Sequence, residues 1–127
     1  MSANQGVGEP DVGVRIKRIY EPRTPDDGAR ILVDRLWPRG ISKARAGLDL
    51  WLKDVAPSAG LREWFGHSPD RWTEFQHRYR EELRDSAALD QLREMSRTRR
   101  VTLLYAARDE EHNEAAALAG FLLHDSL

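Results

Sequence analysis

Val101-Thr102-Leu103-Leu104-Tyr105-Ala106-Ala107 is a nearly continuous apolar run. A strand with one wet face alternates apolar and polar residues, whereas a strand covered on both faces does not, and strands of that kind belong to parallel sheets. The run therefore predicts the centre of a parallel sheet. On its carboxyl side, Arg108 to Asn113 is polar, and Ala115, Leu118, Ala119 and Leu122 then fall on one side of a final helix.

On its amino side, the basic link Arg97 to Arg100 is preceded by a helix carrying Leu89, Leu92 and Met95. Before that, Ser68-Pro69 places a capping residue ahead of a proline suited to the first helical turn. Trp72, Phe75, Tyr79 and Leu83 follow on one face. Ser58 is positioned to cap a short helix with Leu61, Trp64 and Phe65 that stops at Gly66. The aromatic residues recur at helical spacing and read as core. Leu48, Trp51, Leu52 and Val55 recur at i, i+3, i+4 and i+7, predicting one more amphipathic helix that ends at Pro57.

Two strands remain. Val14–Tyr20 places Val14, Ile16 and Arg18 on one face and Arg15, Lys17 and Ile19 on the other, the pattern of a strand near a sheet edge. Arg30–Leu36 contains the apolar run Ile31-Leu32-Val33. Strand, helices, strand, helix is the order of an α/β fold: a small, mostly parallel sheet of about three strands flanked by helices in a Rossmann-like layered architecture. The crossover from the second strand to Val101 is expected to be right-handed. Only about eight residues join the first two strands, short for a parallel crossover, so their relative direction stays open. Residues 14–127 read as a single domain, and residues 1–13, with Gly6, Gly8, Pro10 and Gly13, as a flexible arm.

Composition narrows the function classes. The 127 residues contain four Trp, three Phe and three Tyr, enough bulky material for a core, and no Cys. Thiolate nucleophiles, thiolate metal sites and disulfides are thereby excluded, in keeping with a reducing compartment. No apolar run approaches the roughly 20 residues that span a bilayer. The amino end is polar rather than signal-like, so a cytoplasmic protein with no membrane partner is expected. Net charge is −1, which argues against a general nucleic-acid binder. Residues 15–45 nevertheless hold nine Lys or Arg against four acids, a local excess that favours an anionic ligand.

In open α/β sheets ligands bind outside the carboxyl ends of the strands. Two such ends carry chemistry here. The second strand runs into Asp34, Arg35, Trp37, Pro38, Arg39 and Gly40, and the central strand runs from Tyr105 into Arg108, Asp109, Glu110, Glu111, His112 and Asn113. Arg35, Arg39 and Arg108 suit an anion, with Asp109, Asn113 and Tyr105 as further ligand contacts. Asp34 and His112 are the candidates for proton transfer. His112 begins the apolar stripe of the last helix, where the helix dipole disfavours imidazolium.

Each residue has a plainer role open to it. Asp109 is suited to capping a helix, His112 to packing beneath one, and Asp34 to a structural ion pair with an arginine. Asp34, Asp109, Glu111 and His112 supply donor atoms for a divalent metal, but their spacing matches no metal signature and no cofactor is expected. Walker, dinucleotide and Gly-x-Ser-x-Gly motifs are absent from the sequence. His67, His77 and His124 read as surface residues.

Ile16-Lys17-Arg18-Ile19-Tyr20, Leu32 to Gly40, Trp64-Phe65-Gly66-His67 and Leu104 to Asn113, in that order, resemble the YeaO-like family of uncharacterised bacterial proteins, a domain of unknown function. The resemblance runs from about residue 14 to the end. It implies a parallel α/β sheet and the same two loops, and it does not name a reaction. Longer proteins of the same broad superfamily carry cysteine and histidine in the later loop; that loop lacks cysteine here, so no thiol role carries over.

Three functions stay open. The leading one is a small-anion site at the sheet edge, with turnover undecided. The second is a nucleic-acid or nucleotide module with phosphate contacts from Lys17, Arg18, Arg39 and Lys43. The third is a non-catalytic structural or interaction protein. Oligomeric state is not readable from the sequence.

Overall fold

The computed structural model describes residues 13–124. Of the expected arm over residues 1–13, residues 1–12 lie outside the described residues, and Gly13 belongs instead to the first strand. Four strands, β1 (Gly13–Arg18), β2 (Ala29–Leu32), β3 (Leu50–Trp51) and β4 (Arg100–Tyr105), form one sheet. Its order is β1-β4-β2-β3, and every pairing is parallel. The helices are α1 (Lys43–Ala46), α2 (Ala59–Phe65), α3 (Trp72–Glu82), α4 (Ala87–Thr98) and α5 (Glu114–His124). Among the described residues no helix is long and apolar enough to cross a membrane.

The central position of β4 follows from its composition: Val101 to Tyr105 are all buried, because both faces are covered. Val101, Leu103 and Tyr105 join Ile31, Val33, Phe65, Phe75, Tyr79, Leu92 and Leu118 in the main core beneath α2–α5. Leu104 turns to the other face, where it meets Leu32, Ile19, Ile41 and Ala46 in a smaller cluster under α1. β1 lies at an edge, as its polar and apolar alternation predicts.

The expected small parallel α/β sheet is present, with four strands, and three finer expectations need correction. The stretch expected as a helix over Leu48–Val55 instead forms β3 and a 3-10 turn, Lys53–Val55. Its four residues divide between two clusters, Leu52 and Val55 in the main core and Leu48 and Trp51 in the smaller one, and only Leu50, Trp51 and Leu52 alternate between the two as a strand does. The second strand ends at Leu32, although Val33 still donates from its backbone to Leu104 O at 3.1 Å. The helix expected after Ser68-Pro69 begins as a 3-10 turn over Pro69–Arg71, and the Ser68 side chain makes no capping bond there.

The direction of the first two strands is now fixed. They are parallel, and β4 lies between them, so the link over residues 19–28 crosses the face of β4. It lies very close to the sheet. Thr102 Oγ1 donates to Asp27 O at 2.6 Å, and Arg100 Nη1 donates to Asp26 O at 3.2 Å. Gly28, at φ 64, sits where a Cβ would fall 2.4 Å from Arg100 O, so only glycine fits.

A buried ion network anchors the same link. Asp27 accepts from Arg30 Nη1, from Lys17 Nζ at 3.0 Å and from Thr24 Oγ1 at 2.9 Å. Arg30 also donates to Ala46 O at 2.7 Å. Burial pushes the Asp27 carboxyl up, but the Thr24 backbone N–H and the Lys17, Thr24 and Arg30 donors outweigh it and hold the group well below the ordinary carboxylate range.

Candidate functional site

Both chemistry-bearing strand ends emerge on one sheet edge because β2 and β4 are adjacent and parallel. Asp34 joins them. Its Oδ2 accepts from Ala106 N at 3.0 Å, and its carbonyl accepts from Trp51 Nε1 at 2.8 Å. The loop that follows is held at several points. Trp37 packs edge-on against Trp51 at 5.3 Å and donates from Nε1 to Ile41 O at 2.7 Å. Tyr20 OH donates to Arg39 O at 2.9 Å, and Gly40 takes the positive φ of 76° that the turn requires.

Between this loop, the start of α2 and the end of β4 lies a cleft of about 360 Å³. Its charged lining comprises Asp34, Arg35, Arg39, Arg62 and Glu114, and Tyr20, His67, Ala106 and Ala107 are among the other residues of its walls. Arg35 Nη2 spans toward the entrance of α2, donating to Ala56 O at 3.3 Å and Pro57 O at 3.2 Å. Ser58 caps α2 by accepting from Leu61 N at 3.1 Å, which fixes the helix that carries Arg62.

Glu114, the first residue of α5, is half-buried. Its Oε2 is buried without a hydrogen-bond partner. Burial, the adjoining Asp34 carboxyl and the Asp34 charge push the Glu114 carboxyl well above the ordinary range. When protonated, Glu114 can donate to Asp34, and the upward shift favours a state in which the two carboxyls share one proton. Tyr79 lies behind this pair, with its OH donating to Val55 O at 2.5 Å; burial and then the Glu114 charge push its phenol well up.

Of the residues singled out from sequence, Asp34, Arg35 and Arg39 line the cleft. The others in the later loop do not. Asp109 Oδ1 accepts from Glu111 N at 2.9 Å and His112 N at 3.0 Å, and the first of these backbone bonds, with the His112 side chain next, lowers its carboxyl pKa. His112 Nδ1 lies 3.0 Å from Asp109 Oδ2, and its ring packs edge-on against Trp72 at 5.3 Å. Asn113 caps α5, accepting at Oδ1 from Ala116 N at 2.8 Å while its Nδ2 donates to Asp109 O. Tyr105 is buried in the core, which raises its phenol pKa, with Glu110 adding to the effect. Arg108 is exposed.

Among the described residues, no group of three or more His, Asp or Glu side chains is placed to hold a metal ion. Two of the basic residues expected to contact phosphates are engaged within the fold. Lys17 pairs with Asp27, and Arg18 donates to Ala107 O at 2.9 Å and Ala106 O at 3.1 Å while lying over the Tyr20 ring.

Sequence reading missed Arg62, Glu114 and the place of His67 in the cleft wall. Arg62 gives no signal, since an exposed arginine on a short helix is ordinary. Glu114 does give one: it precedes Ala117, Leu118 and Phe121 at helical spacing, a carboxyl set on the buried stripe of α5.

Fold and cleft together define a small parallel α/β domain with a charged pocket at the carboxyl edge of its sheet. The chain belongs to the DUF488-N3i family, described as the inactive DUF488-N3 subclade, whose model matches residues 13–126. It is 51% identical over 109 residues to uncharacterised proteins of Mycobacterium bovis and Mycobacterium tuberculosis, covering 86% of this chain and 92% of theirs. It is 38% identical over 112 residues to the uncharacterised protein YeaO of Escherichia coli, covering 87% of this chain and 97% of that one. No solved structure matches the chain.

Proposed function

We propose that this protein is a cytoplasmic binding domain for a small anionic ligand, held in the cleft by Arg35, Arg39 and Arg62. The observation that carries the reading is that three arginines line one cleft, none of them in an ion pair with a carboxylate among the described residues. Arginines so placed offer planar, bidentate donors to a carboxylate or phosphate. The absence of cysteine supports a reducing compartment. Binding without turnover agrees with the family description as an inactive subclade. If a proton is transferred, the Asp34–Glu114 pair is the group placed to do it, and the reading needs no cofactor.

Thermal unfolding against phosphate, pyrophosphate, citrate and short carboxylates tests this. A ligand at a hundred times its Kd stabilises the native state by about 2.7 kcal/mol. At least one of these anions should raise Tm, and Arg39→Ala and Arg62→Ala should each remove the rise without lowering the ligand-free Tm. If none raises Tm, or if the rise survives in both variants, the reading fails.

A further inference from the structure

The cleft holds charged groups of both signs. Asp34 and Glu114 line it together with Arg35, Arg39 and Arg62, yet no ion pair links the two sets. Arg35 directs Nη2 to the carbonyls of Ala56 and Pro57 instead. The three arginines are exposed and keep their water, whereas a buried acceptor left unmet has given up water without compensation.

The acidic side is also short of donors. A carboxylate accepts up to about four hydrogen bonds. Asp34 receives one from the backbone, at Oδ2 from Ala106 N, and Glu114 Oε2 is buried with none. Around Glu114 its own backbone N–H reaches the carboxyl, but Asp34 at the end of β2 is an acceptor, Tyr79 of α3 gives its hydrogen to Val55 O, Arg62 of α2 acts through its charge, and Oε2 is left without a donor. A simple anion would satisfy the arginines and add a like charge beside the pair. A ligand carrying an N–H donor as well would satisfy both walls.

Resting on the anion reading above, we propose that the ligand is a small zwitterion: its acid group lies on Arg39 and Arg62, and its ammonium or comparable N–H donor lies against Asp34 and Glu114. Where the two carboxyls share a proton, the ammonium takes its place and that proton leaves to solvent, so binding is accompanied by proton release.

The test is calorimetry on the full chain with ω-amino acids from glycine to aminovalerate, each set against the carboxylate of the same length without the amine. Titrations are run in Tris and in imidazole at one pH, since a binding enthalpy that differs between the buffers counts protons released. The best amino acid should bind about tenfold tighter than its amine-free counterpart, the scale of one charge-assisted contact, and should release a proton. Glu114→Gln and Asp34→Asn should each reduce both the preference and the proton release, while Arg39→Ala weakens both ligand sets alike.

If carboxylates bind as tightly as amino acids and no proton is released, the zwitterion assignment is overturned and the anion site stands. If neither set binds and Arg39→Ala changes nothing, both fall. If the preference persists in Glu114→Gln and in Asp34→Asn, the ammonium lies elsewhere and the assignment is overturned.

Discussion

Replacing Glu114 with Gln should alter how stability depends on pH more than it alters stability at low pH. The Glu114 carboxyl titrates well above its ordinary value of 4.5 in the folded protein because burial and Asp34 disfavour its charge. A folded-state pKa above the unfolded one gives a contribution that is fully present below the unfolded value. It is lost as pH rises toward the folded value, because the unfolded chain has released a proton the native state retains. The loss amounts to about 1.4 kcal/mol per pH unit across that window. Glutamine cannot titrate, yet its amide can donate to Asp34 as the protonated acid does, so Glu114→Gln removes this slope and keeps the contact. Urea unfolding of both proteins at half-unit steps from pH 4.5 to 8 measures it, with groups common to both cancelling in the difference. The variant should gain on the parent steadily as pH rises from 4.5 and then level off. Two curves that stay parallel throughout would refute the shared-proton account of the pair.

Other predictions concern the frame that holds the cleft. Gly28→Ala places a Cβ 2.4 Å from Arg100 O at a positive φ, and should cost about 2–5 kcal/mol in urea unfolding from overpacking and backbone strain; a cost below about 1 kcal/mol would contradict the close crossing of β4. Asp27→Asn leaves the buried Arg30 and Lys17 charges without their carboxylate and should cost about 3–5 kcal/mol. Because that carboxyl is held low when folded, its stabilisation is present above 3.8 and fades only as pH falls toward the folded value. The gap between parent and variant should therefore narrow in strong acid and stay constant from pH 5 to 8. Tyr79→Phe removes the donor to Val55 O and should cost about 1–3 kcal/mol through an unmet buried carbonyl, read by the same unfolding assay.

The parts of the fold legible in sequence are those where one physical demand dominates. Val101 to Tyr105 reads as a central strand because burial on both faces removes alternation. Ser58 and Gly66 mark α2 because capping and the left-handed turn each favour few residue types; both roles are present, with Gly66 at φ 52. Where two demands produce the same pattern, reading failed. Leu48, Trp51, Leu52 and Val55 fit a helix stripe, but a two-residue strand and a 3-10 turn bury the same side chains against two different clusters.

The site divides along similar lines. Asp34, Arg35 and Arg39 were visible because strand-end chemistry concentrates on the residues after a buried strand. The partners that complete the cleft, Arg62 and Glu114, come from helices that fold in from elsewhere, and tertiary packing rather than local sequence brings them together. Asp109 and Asn113 illustrate the opposite limit. Their polar side chains in the later loop cap a turn and a helix, uses that look the same in sequence as ligand contacts.

The arginines of the cleft are proposed to hold an anion. Arginine Nε–Hε resonances followed by NMR during titration with pyrophosphate, and separately with a short carboxylate, test it most directly. Saturable shifts concentrated on Arg35, Arg39 and Arg62, weakening as salt is raised, are the predicted result. Shifts spread over the surface arginines, such as Arg84 and Arg97, with the three cleft residues unmoved, would contradict it.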